Sequence, residues 1–83
     1  MKRAYHVVIY GMPRNRDIET VQYLNAWLYL RLGLPREENY ISVTGGEFYP
    51  VEIYLYCSPH TLRVAIDRIK QRYTDATISF ILY

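Results

Sequence analysis

The stretch Val51-Glu52-Ile53-Tyr54-Leu55-Tyr56-Cys57 alternates strictly: Val51, Ile53, Leu55 and Cys57 fall on one side, Glu52, Tyr54 and Tyr56 on the other. Successive side chains leave a β-strand on opposite faces, so a period of two predicts a half-buried strand. Glu52 sets the register, because an unpaired carboxylate in a core is costly. The aliphatic set therefore faces the interior and the two tyrosines face away from it.

The flanking segments take their roles from this strand. Upstream, Tyr40 to Thr44 predicts a strand with Ile41 and Val43 inward and Tyr40, Ser42 and Thr44 outward. Gly45-Gly46 is a turn signal, Glu47-Phe48-Tyr49 makes an apolar-tipped loop, and Pro50 delays the next strand. Downstream, Ser58-Pro59 reads as a helix start, with serine as the cap and proline at the first helical position. Leu62, Ala65, Ile66, Ile69 and Tyr73 keep helical spacing, opposite Arg63, Asp67, Lys70 and Gln71. After Thr74-Asp75, Ala76 to Tyr83 predicts a strand with Ile78, Phe80 and Leu82 inward and Thr77, Ser79, Ile81 and Tyr83 outward.

Tyr5 to Tyr10, stopped by Gly11-Met12-Pro13, predicts the first strand, with Tyr5, Val7 and Ile9 inward and His6, Val8 and Tyr10 outward. A helix follows from about Ile18 to Leu32, capped by Asn15 or Asp17 and closed by Gly33 with Pro35 just beyond. At 100° per residue, Ile18, Val21, Leu24, Leu28 and Leu32 form its core stripe. Tyr23, Trp27, Leu30 and Leu34 form a second apolar stripe on nearly the opposite side. That stripe is either covered by a loop, singly exposed, or a contact surface.

The order β-α-β-β-α-β predicts an α+β fold of the ferredoxin-like kind, a four-stranded antiparallel sheet with two helices on one face. Strands one and three are then central neighbours, and the uncovered face carries His6, Tyr10, Tyr54 and Tyr56, with Tyr40 and Tyr83 near the edges. The 83 residues make a single domain spanning 1–83. A chain this size buries roughly 60% of the surface its unfolded form exposes.

Composition narrows the function classes. One cysteine allows no internal disulfide and points to a reducing cytoplasm. Met1-Lys2-Arg3-Ala4 leads straight into a strand without a signal-peptide pattern, and no apolar run approaches the ~20 residues of a membrane span. The net charge of +2 is far weaker than that of a typical nucleic-acid module. Ten tyrosines against two phenylalanines suit a surface that is partly buried and partly wet.

No constellation carries chemistry. Cys57 falls on the inward side of its strand, where cysteine acts as a small hydrophobe. His6 and His60 have no ligand-type neighbour at helical spacing. The carboxylates are scattered, and Gly45-Gly46 precedes a strand rather than the helix a phosphate cradle needs. Catalytic residues, metal ligands and cofactors are not expected.

Ile9-Tyr10-Gly11-Met12-Pro13 before a helix, with Tyr54 and Tyr56 alternating on the third strand, resembles the RNA-recognition motif family. The resemblance implies single-stranded nucleic acid stacked on Tyr10, Tyr54 and Tyr56, with Lys2, Arg3, Arg14 and Arg16 as a basic rim. The chain departs from that family at Val51-Glu52, where a basic residue and glycine are expected, and no lysine or arginine lies in the four expected strands. The order of elements is also similar to the small dimeric nuclease-like subunit of CRISPR adaptation. That family places an aspartate directly after the first strand, where this chain has Gly11. What the likeness then implies is dimerisation through sheets or sheet edges.

The expected function is a non-catalytic protein-binding module, an adaptor or stoichiometric inhibitor, homodimeric and with a protein partner of unknown identity. Its contact surfaces are the sheet face of His6, Tyr10, Tyr40, Tyr54, Tyr56 and Tyr83, the helix face of Tyr23, Trp27, Leu30 and Leu34, or both. The alternative is a nucleic-acid platform of the RNA-recognition kind.

Overall fold

A computed structural model describes residues 1–11, 17–43 and 50–82, the side chains of 17–21 and 43 excepted. The elements are β1 (Arg3–Tyr10), α1 (Asp17–Ala26) running into a π-helical turn (Trp27–Arg31), β2 (Tyr40–Val43), β3 (Val51–Cys57), α2 (Pro59–Arg72) and β4 (Thr77–Leu82). The strands form one open antiparallel sheet in the order β2-β3-β1-β4. Val7 lies opposite Ile53 on one side and Phe80 on the other, and Ile41 lies opposite Ile53. β1 and β2 thus run the same way, as do β3 and β4, and each helix joins two parallel strands with a third between them. The class is α+β.

The alternation of β3 is preserved. Val51, Ile53, Leu55 and Cys57 are all buried, in one cluster with Tyr5, Val7 and Ile9 of β1. Leu24 and Leu28 of α1 and Leu62, Ala65 and Ile69 of α2 join the same cluster, so both helices cover one face of the sheet. Each fully buried aliphatic side chain contributes about 1.5–3 kcal/mol, so these positions outweigh local propensity. Ser58 caps α2 by accepting from the Thr61 N–H at 3.2 Å, with Pro59 in the first turn.

Three expectations change. β1 begins at Arg3, not Tyr5, so one arginine does lie in a strand; opposite Cys57, it belongs to the helix-covered side. Phe80 and Leu82 have the expected direction, opposite Val7 and Tyr5, yet both are exposed. β4 is the sheet's edge, and a groove of about 290 Å³ lined by Tyr5, Pro59, Leu62, Arg63, Ile66 and Phe80 lies between it and α2.

The third change is in the first helix. The Leu32 N–H donates to the Trp27 carbonyl at 3.2 Å, five residues back, which widens the turn and rotates later residues less than an α-helix would. Gly33, at φ +67°, turns the chain so that the Leu34 N–H reaches the Leu28 carbonyl at 3.1 Å. Trp27 and Leu34 are consequently core residues, and of the second stripe only Leu30, 81% exposed, stands in solvent. The stripe meets α2. Arg68 lies 5.7 Å over the Trp27 ring, Arg72 lies 4.1 Å over Tyr23, and Tyr23 meets Tyr73 edge to face at 6.2 Å. One apolar face of the helix serves the sheet and the other serves its companion helix.

Candidate functional site

The outer face of the sheet is built in rows. Tyr40 of β2 lies opposite Tyr54 of β3, Tyr54 opposite His6 of β1, and His6 opposite Ile81 of β4. The Tyr54 ring stacks on His6 at 4.5 Å, with planes 6° apart, and on Tyr40 at 4.6 Å, with planes 20° apart. Because β3 lies between β2 and β1, the two neighbours cover opposite faces of the Tyr54 ring. Three strands thus contribute one ring each to a single stack.

The next row places Ser42, Glu52, Val8 and Ser79 side by side. His6 Nε2 and Glu52 Oε1 are 2.9 Å apart on the diagonal between the rows, and both side chains are partly exposed. The contact is a hydrogen bond with neutral histidine and becomes an ion pair when the ring is protonated. The Glu52 carboxylate is therefore partnered on this face.

Tyr56, opposite Ala4, lies beyond the stack on the other side, with the Lys2 ammonium 5.7 Å from its ring centroid. Tyr10 lies opposite Thr77 at the far end of β1, about 13 Å along the strand from His6 at ~3.3 Å per residue. Both are exposed. The structure thus joins His6, Tyr40 and Tyr54, sets Tyr56 with Lys2 beside them, and leaves Tyr10 apart. Arg3 belongs to the opposite face, whereas Tyr83, Arg14 and Arg16 lie outside the described residues, as do Gly45-Gly46 and the Glu47-Phe48-Tyr49 loop.

Asn39, which no sequence pattern singled out, positions the site from behind. It is fully buried and anchors the chain just before Tyr40 through Pro35, Tyr56 and Tyr29. Burial pushes the Tyr29 phenol above its ordinary pKa, with Arg36 pulling it the other way. Burial likewise raises the Cys57 thiol, against a smaller opposing effect of Lys2. A buried thiol with a raised pKa is a poor nucleophile. Among the described residues no three His, Cys, Asp or Glu side chains group as a metal site would require, and no helix is long and apolar enough to cross a membrane.

Comparison with protein-family models, with curated proteins and with solved structures finds no match to this chain.

Proposed function

We propose that this chain is a non-catalytic, homodimeric protein-binding module of ferredoxin-like βαββαβ architecture that presents the outer face of its sheet to a protein partner. The strand order β2-β3-β1-β4, with each helical connection passing over one strand, supports the architecture. The single buried cysteine favours a cytoplasmic setting.

The observation that carries the reading is the Tyr40–Tyr54–His6 stack. Rings locked against one another lose little further rotamer freedom when a partner covers them. Around them lie Val8, Ile81 and Tyr56, and the Glu52 carboxylate is held by His6. An interface centre poor in unpaired charge has this composition.

A second reading, nucleic-acid binding, is favoured by Lys2 over Tyr56. It is weakened at Tyr54, because a base needs an open ring face and both faces of this ring are occupied. Two measurements separate the readings. Fluorescence anisotropy of labelled single-stranded RNA and DNA at low salt should stay flat; salt-dependent binding lost in Tyr56→Ala would favour the second reading. Affinity capture should retain a protein on the wild type and release it from the folded Tyr40→Ala/Tyr56→Ala variant. Equal retention by both would count against the sheet face.

A further inference from the structure

β4 is an edge strand of six residues, Thr77-Ile78-Ser79-Phe80-Ile81-Leu82. Edge strands expose a row of backbone donors and acceptors, and soluble proteins protect them with charge, proline, bulges or short length. This strand contains neither charge nor proline. It pairs with β1 in unbroken register from Tyr5–Leu82 to Tyr10–Thr77, so no bulge bends it away. Phe80, Ile81 and Leu82 are 51%, 62% and 57% exposed. Among the described residues the other edge, β2, spans four positions, Tyr40–Val43, and the longer unprotected edge is β4.

We infer that the β4 edge is where a second copy of this chain docks, its own β4 pairing antiparallel to extend the two sheets into one of eight strands. The inference rests on the homodimer part of the reading above and gives it a location. A charge-free strand is matched by another charge-free strand; a charged strand would lay its charge against Phe80 or Ile81 without a partner. Residues opposite each other in an antiparallel pair point to the same face. With the twofold axis placed at Phe80, the middle of the exposed run, Phe80 faces its own copy, Ile78 faces Leu82, and Ser79 faces Ile81. All three helix-side apolar residues of β4 are then covered, and each Phe80 closes over the groove formed with Tyr5, Leu62 and Ile66. The outer faces become coplanar, so two Tyr40–Tyr54–His6 stacks share one surface.

The test is sedimentation velocity of the full chain over a concentration series. The wild type is expected to be dimeric. Phe80→Lys brings two ammonium groups together at the axis and should raise the dimer Kd by more than about a hundredfold, since opposed like charges cost several kcal/mol. Circular dichroism checks that this variant folds. Phe80→Cys provides an independent readout: under air oxidation it should give a disulfide-linked dimer on a denaturing gel, while Tyr40→Cys should not. A wild type monomeric at all concentrations overturns the inference. So does a dimer that survives Phe80→Lys but disperses in Tyr40→Ala/Tyr56→Ala, which would place self-association on the sheet face. Partner capture is scored separately, so failure of the binding reading is distinguishable from failure of the edge dimer.

Discussion

The Tyr56 backbone N–H donates to Oδ1 of Asn39 at 2.7 Å, so a side chain extends the ladder one step beyond the start of β2. Asn39 Nδ2 donates to the Pro35 carbonyl at 2.9 Å, and the Asn39 carbonyl accepts from the Tyr29 hydroxyl at 2.7 Å. An alanine here leaves a strand N–H without its acceptor and frees the α1–β2 connection. Asn39→Ala should lower stability by about 3 kcal/mol, the cost of a buried unsatisfied donor plus a lost hydrogen bond. Urea unfolding measures it; a change under about 0.5 kcal/mol would show that water substitutes fully for the side chain.

Trp27 tests the division of labour within the first helix. Its ring is buried in the core and lies beneath Arg68. Trp27→Ala should therefore cost about 3–5 kcal/mol, as buried large-to-small aromatic changes do. Leu30→Ala, at an exposed position of the same stripe, should stay within about 0.5 kcal/mol. Comparable thermal shifts for the two variants would contradict the placement of Trp27 in the core.

Gly11 and Gly33 both have positive φ, +84° and +67°. They differ in what surrounds them. A Cβ on Gly11 would lie 3.0 Å from the Asp75 carbonyl oxygen, whereas one on Gly33 meets nothing within 4 Å. Gly33→Ala should cost about 1–2 kcal/mol, the backbone penalty alone. Gly11→Ala adds a clash with the backbone leading into β4 and should cost more. Chemical denaturation of the pair gives the order, and a larger loss at Gly33 would overturn it.

The Cys57 thiol, raised by burial, gives a pH dependence with a definite sign. In the unfolded chain the thiol ionises at lower pH than in the folded one. As pH rises through the ordinary thiol range the unfolded state holds fewer protons, so stability falls until the folded-state pKa is passed. Cys57→Ala should lose some packing at every pH but show a shallower alkaline decline. Urea midpoints at neutral and alkaline pH compare the two; parallel profiles would contradict the assignment.

The outer-face residues of β3 and β1 could be named from the chain because alternation is a covalent property. Val51 through Cys57 and Tyr5 through Ile9 need only a pleated backbone and the cost of burying Glu52 to choose their sides. The start of α2 was readable for the same reason, since a serine followed by proline satisfies and tolerates the unpaired N–H groups of a first turn. Proximity is a different kind of fact. The stack of Tyr40, Tyr54 and His6 depends on strand register, and sequence spacing alone could not say that Tyr10 stands apart from it.

Burial was decided by neighbours rather than by pattern. Phe80 and Leu82 have the inward parity of core residues and are exposed, because β4 ends the sheet and a groove lies between it and α2. Trp27 lies off the α-helical core stripe and is buried, because a π-helical turn widens the helix there and α2 lies alongside. Asn39 has no period to reveal it; its value comes from a strand N–H, a loop carbonyl and a tyrosine hydroxyl that meet only after folding. A local repeat sets the side on which a residue stands, and the packed chain sets what it meets there.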